Sequence, residues 1–201
     1  SPNSSPGWGS SDGTQLFRHH LLCCRQPQTR WSKPYAKLYY DAATLNATGT
    51  TLQQLKIGND ATVMGTGVTF MDKSGVATTK VTAAEEMSFT GNGHVDTGLN
   101  THATNLRTIS FWIKIPDSVS SMQELVAKSK PSQGFEVLIL NAKIRAYLMG
   151  GFDKTVFVES PSPLEHPNVW THVAATHEGI NGMLKLYVNG EKVDSASGPS
   201  I

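Results

Sequence analysis

At 201 residues the chain is long enough for one sizeable core with appendages, and 16% charged residues with 18 glycines and 10 prolines suit strands and turns. No run of about eighteen apolar residues occurs, which excludes a membrane-spanning helix. The formal charge of +1 hides an asymmetry. Residues 1–37 set Arg18, Arg25, Arg30, Lys33 and Lys37 against Asp12, for a net +4, and the other 12 cations and 15 anions give −3.

Residues 1–34, rich in Ser, Pro, Gly, Gln and Arg, read as a basic arm or linker without a core of its own. Three readings of the arm stand side by side: a flexible extension, a remnant of a targeting segment, and an arm that orders on a partner, which Trp8, Phe17 and Trp31 favour. Cys23 and Cys24 are adjacent and the only cysteines, so no disulfide framework or zinc pattern is present. A domain is expected over 35–201. Its first strand is 36–40, and 51–57 is read as a short helical turn. Strands follow at 68–70 and 86–91. Asn92-Gly93 is read as a turn from which 94–98 returns as the second leg of a hairpin. Residues 107–115 alternate, with Ile109, Phe111, Ile113 and Ile115 on one face and Ser110, Trp112 and Lys114 on the other. The stretch 121–130 fits either helical or strand spacing and is assigned as a strand. Residues 135–140, apolar on both faces, belong at the centre of a sandwich and pair with 144–149 across Asn141-Ala142-Lys143; 155–158 follows. The stretch 168–194 reads as three consecutive antiparallel strands, with Asn189-Gly190 as a type I′ hairpin turn.

Trp170-Thr171-His172-Val173-Ala174-Ala175-Thr176-His177, followed by Leu184-Lys185-Leu186-Tyr187-Val188-Asn189-Gly190-Glu191-Lys192-Val193, resembles the signature strands of the concanavalin A-like lectin/glucanase superfamily, in its laminin-G-like and pentraxin-like branch. The run 87–98 and the strand Thr108-Ile109-Ser110 to Trp112 and Lys114 are similar to other stretches of that family. The resemblance implies an all-β, antiparallel β-sandwich of jelly-roll type preceded by an irregular N-terminal arm. It also implies further strands after the 184–193 hairpin, where this chain stops at Ile201, so the expectation is a fragment or a sheet completed by a partner.

The expected function is non-catalytic recognition of carbohydrate or protein at a surface or in the extracellular space. The alternative is a structural subunit of a larger assembly, inside the cell or out, docking through its arm and an open sheet edge. A retaining hydrolase of this fold needs two carboxyl groups about 5–5.5 Å apart, and no strand carries such a pair, so the chain is expected not to be an enzyme. For ligand binding, Arg145 and Tyr147 share a face opposite Ile144, Ala146 and Leu148, with Phe152, Asp153 and Lys154 in the next loop; the competing reading packs Tyr147 between the sheets. Trp112 and Trp170 are expected in the core, and His166, His172 and His177 at the surface or rim. Calcium, which the resemblance makes plausible on a loop rim, would draw on Asn59, Asp60, Asp72 and Asn181. Asn3 and Asn46 are N-glycosylation sequons if the protein is secreted. Nucleic acid is not an expected partner, because only the arm is basic.

Overall fold

Alternation shapes the C-terminal half. In a strand, successive side chains point to opposite faces, so a period-two pattern of apolar residues needs one face on a core. The computed structural model describes residues 15–24, 36–40, 51–52, 61–72, 74, 76–77, 86–89, 93–97, 108–115, 122–130, 133–150, 155–161, 163, 168–178 and 182–198. Among these there is no helix. The strands are β1 (Gln15–Cys24), β2 (Ala36–Tyr40), β3 (Thr51–Leu52), β4 (Ala61–Gly65), β5 (Val68–Met71), β6 (Glu86–Phe89), β7 (Gly93–Asp96), β8 (Thr108–Lys114), β9 (Gln123–Lys130), β10 (Gln133–Leu140), β11 (Lys143–Gly150), β12 (Thr155–Glu159), β13 (Thr171–His177), β14 (Met183–Val188) and β15 (Glu191–Ser197).

Three antiparallel sheets result. The largest runs β15-β14-β13-β8-β1-β6-β5, with β2 added onto β1; a four-stranded sheet runs β12-β11-β10-β9, and a small one β3-β4-β7. The core lies between the inner faces of the first two. Ile109, Phe111 and Ile113 of β8, Val173 and Ala175 of β13 and Leu184 and Leu186 of β14 meet Phe135, Val137 and Ile139 of β10, Ile144, Ala146 and Leu148 of β11 and Val158 of β12. A fully buried side chain such as Leu186 contributes roughly 1.5–3 kcal/mol by leaving water. The expected strands at 107–115, 121–130, 135–140, 144–149 and 155–158 and the three at 168–194 are all present, and 121–130 is a strand.

Three expectations are corrected. Within the segment assigned to the arm, Gln15–Cys24 is a strand of the large sheet, set between β8 and β6, with Phe17 opposite both Ile113 and Met87. Leu21, Leu22 and Cys23 pair with Tyr40, Tyr39 and Leu38 of β2. The segment lacks the alternation that marks a strand, and its partners are far along the chain, so only long-range pairing defines it. The helical turn assigned to 51–57 begins as β3, which pairs with Thr62 and Ala61; residues 53–57 lie outside the described residues.

The third concerns 86–98. Asn92 lies outside the described residues, and the strands that flank it do not pair as the expected hairpin: β6 pairs with β5 in the large sheet, and β7 pairs with β4 in the small one. β4 with its partner β7 and β5 with its partner β6 lie on either side of a corner, Gly65 opposite Gly93 on one side of it and Val68 opposite Phe89 on the other. Glycine makes the corner possible. A Cβ on Gly93 would lie 2.7 Å from Val68 Cγ2 and 2.9 Å from the Gly67 nitrogen, and Gly65 has φ 77°.

Candidate functional site

On the outer face of the four-stranded sheet, β11 presents Lys143, Arg145 and Tyr147, because Ile144, Ala146 and Leu148 turn into the core. The register then decides which residues join them. Arg145 stands opposite Glu159 and Tyr147 opposite Phe157, while Val158 pairs with Ala146 on the inner side. Tyr147 therefore lies on the outer face, as the shared-face reading expects, and not between the sheets.

The side chains interlock. Glu159 accepts from Lys143 Nζ through Oε1 at 2.9 Å and from Arg145 Nε through Oε2. Arg145 Nη1 also donates to Tyr147 Oη at 3.1 Å, and the guanidinium lies over the Phe157 ring, 5.1 Å from its centroid. The Tyr147 and Phe157 rings meet at 5.5 Å with a tilt of 34°. Phe157 is nevertheless 49% exposed, an aromatic ring held in place with half its surface in water. The hydrogen bond from Lys143, then that from Arg145, holds the Glu159 carboxyl below the usual carboxylate range.

Farther across the same face the charge reverses. Glu136 of β10 stands opposite Tyr147, and Glu124 of β9 opposite Leu138, which is 5% exposed although it is on the outer side. Burial, and then the nearby Glu136, raises the Glu124 carboxyl above its ordinary value. Among the described side chains the face is thus cationic over β11–β12 and acidic over β9–β10.

Of the expected ligand-binding residues, Arg145 and Tyr147 come together. Phe152, Asp153 and Lys154, which connect β11 to β12, lie outside the described residues. Lys143, Phe157 and Glu159 escaped the sequence reading. The period-two pattern of 155–159, with Val156 and Val158 between Thr155, Phe157 and Glu159, is the signal that would have found the last two. Of the expected calcium ligands, Asp72 is a turn residue: its Oδ1 accepts the backbone N–H groups of Ser74 at 2.8 Å and Val76 at 3.1 Å. Asn59, Asp60 and Asn181, like the sequons at Asn3 and Asn46, lie outside the described residues, and among the described residues no group of three His, Cys, Asp or Glu could hold a metal.

The outer face of the large sheet holds a second cluster. Trp112 is not in the core: it is 39% exposed and meets the His172 ring at 5.2 Å. His172 Nε2 and Ser110 Oγ share a hydrogen bond of 2.7 Å, with donor and acceptor set by the ring's tautomer. Burial lowers the His172 pKa and keeps the ring neutral at pH 7. Ser110 is 1% exposed, so this Ser–His pair offers no nucleophile to a substrate. Lys114 Nζ sits over the Trp170 ring at 5.3 Å, and His177 is buried at 3% exposure rather than at the rim; His166 lies outside the described residues.

A laminin-G-like family model, described as the concanavalin A-like lectin/glucanases superfamily, matches residues 89–201, over half of the chain. The chain belongs to this superfamily. Two solved structures share its fold: "Binding domain of Botulinum Neurotoxin DC in complex with SialylT", at 15% identity over 82% of this chain with a TM-score of 0.54, and "Crystal structure of the binding domain of Paraclostridial Mosquitocidal Protein 1", at 16% identity over 90% with a TM-score of 0.54. The chain spans 40% of the length of each. No curated protein sequence matches it. Among the described residues no helix is long and apolar enough to cross a membrane.

Proposed function

We propose that this superfamily member is a non-catalytic recognition module that binds carbohydrate across the β11–β12 face, at a cell surface or in the extracellular space. The observation that carries the reading is the half-exposed Phe157 ring, fixed by Tyr147 and Arg145 inside a polar frame of Lys143 and Glu159. A sugar ring has one face of C–H bonds, which lies well against an aromatic ring, and a rim of hydroxyl groups that needs hydrogen-bonding partners beside it. The fold supports the reading, since the two structural neighbours are described as binding domains. The assembly reading docks the chain through its N-terminal arm and an open sheet edge; the pairing of Gln15–Cys24 within the chain's own sheet leaves less of that arm for docking.

Screening the chain against a glycan array, with and without calcium, tests the proposal. Binding is expected to fall by about two- to tenfold in Phe157→Ala, the loss of one stacked aromatic contact, with the thermal midpoint nearly unchanged because the ring is outside the core. Glycan binding that Phe157→Ala leaves intact would contradict this face as the site.

A further inference from the structure

Resting on the reading of β11–β12 as the binding face, we propose that its ligand is a sugar bearing an anionic group, a carboxylate or a sulfate, which lies against Arg145 and Lys143 while the ring stacks on Phe157. Donors and charge both favour such a group. A guanidinium has five N–H donors. Arg145 uses one on Glu159 and one on Tyr147, and the other three have no acceptor among the described residues. Lys143 gives one of its ammonium protons to Glu159 and holds two more. Both oxygens of Glu159 are engaged by cations, so the cluster offers unused donors but few acceptors. Two cations against one carboxylate leave it with a net charge of +1.

The hydroxyl groups of a neutral sugar both donate and accept, and such a surface engages chiefly their accepting side. A carboxylate or sulfate only accepts, and a free guanidinium edge presents N–H groups in the geometry such oxyanions take up. The acidic half of the face fixes the direction. Glu136 and Glu124 on β10 and β9 repel an anionic group and leave the β11–β12 side, next to Phe157, as its place.

Matched sugars on a multivalent carrier provide the test: a methyl glucoside, the corresponding glucuronoside and the 6-sulfated glucoside, with polyglutamate as a non-sugar anion. The two anionic sugars are expected to bind the intact chain about tenfold more tightly than the neutral one, the effect of a single added charge-assisted hydrogen bond, and more weakly as salt rises. The carboxylate and sulfate arms tell the two anion sources apart. Arg145→Gln should bring the anionic sugars down to the neutral level, Arg145→Lys should restore part of the difference, and Glu136→Gln should increase anionic binding about twofold through the loss of a repulsive charge. Equal binding of all three sugars, still dependent on Phe157, would overturn the anionic inference and leave the face standing. An anionic preference indifferent to both Arg145→Gln and Phe157→Ala would overturn both, as would no binding to any sugar. Polyglutamate bound as tightly as the glucuronoside in Phe157→Ala would overturn the sugar part alone.

Discussion

Two hairpins in this chain make the same demand on their central residues and meet it differently. Asn189 and Gly190 have φ of 50° and 86°, the left-handed pair of a type I′ turn. Asn189 is also tied to the neighbouring strand: its Oδ1 accepts from His172 N–H at 2.9 Å and its own N–H donates to the His172 carbonyl at 2.8 Å. Nothing lies within 4 Å of a Cβ built on Gly190, so Gly190→Val meets open space and suffers only from its backbone. A β-branched residue at this φ should destabilise by about 1 kcal/mol or more, and an unchanged denaturation midpoint would remove the turn from the account. The other hairpin, between β10 and β11, places Asn141 and Ala142 at φ 53° and 59°. Alanine there carries a strain of about 1–2 kcal/mol, and glycine would relieve it while adding about 0.4–1 kcal/mol of unfolded-state entropy. The strain is the larger effect. Ala142→Gly should therefore raise stability by about 0.5 kcal/mol in urea titration, and a loss would contradict the assigned turn. The Asn-Gly turn was legible in the sequence because both residues favour positive φ; Asn-Ala was legible as a connection but not as a strained one, since alanine gives no such signal.

Two titrating residues set separate pH windows. The His172 pKa is depressed by burial, so the unfolded chain binds a proton that the folded chain refuses. Stability is full above the ordinary value of 6.5 and falls as pH drops from there towards the folded pKa. The Glu159 carboxyl, also depressed, supports the fold above its ordinary 4.5 and loses that support as pH falls through its lower folded value. The thermal midpoint should thus begin to fall just below pH 6.5, and His172→Gln should flatten that first decline while leaving the acid decline in place. Equal slopes between pH 7 and 5 in both proteins would contradict the buried-histidine account.

At the scale of elements, legibility follows the range of the information. Alternation in 107–115, 144–149 and 183–188 is local, and each of these appears as the expected strand with the expected face inside. The pairing of β1 between β8 and β6 depends on partners far away in sequence, and its own residues alternate too poorly to announce a strand. The corner between the β4–β7 and β5–β6 pairs was hidden for a related reason: Gly91, Asn92 and Gly93 look like a tight turn, yet the small residue at 93 is required by close approach to Val68 and Gly67. The site shows the same division. Arg145 and Tyr147 follow from one strand's pattern, whereas Phe157 and Glu159 become partners through the register between β11 and β12, and Lys143 joins through its hydrogen bond to Glu159.

Across the whole molecule, two sheets close over one core and a side-chain latch joins their edges. Asp194 of β15 accepts the backbone N–H of Glu159 on β12 at 2.9 Å, so the same residue that organises the outer face is braced from the opposite sheet. The two outer faces differ in kind. The β8–β13 face pairs Trp112 with a half-buried, neutral His172, while the β11–β12 face presents an exposed aromatic ring beside an arginine and a lysine that keep N–H donors unused among the described residues. If the second face binds the ligand, amide chemical-shift mapping of the 15N-labelled chain titrated with a methyl glucuronoside will show it. Saturable shifts are predicted at Arg145, Tyr147, Phe157 and Glu159, with Trp112 and His172 unmoved; shifts gathered at Trp112 and His172 instead would contradict the account.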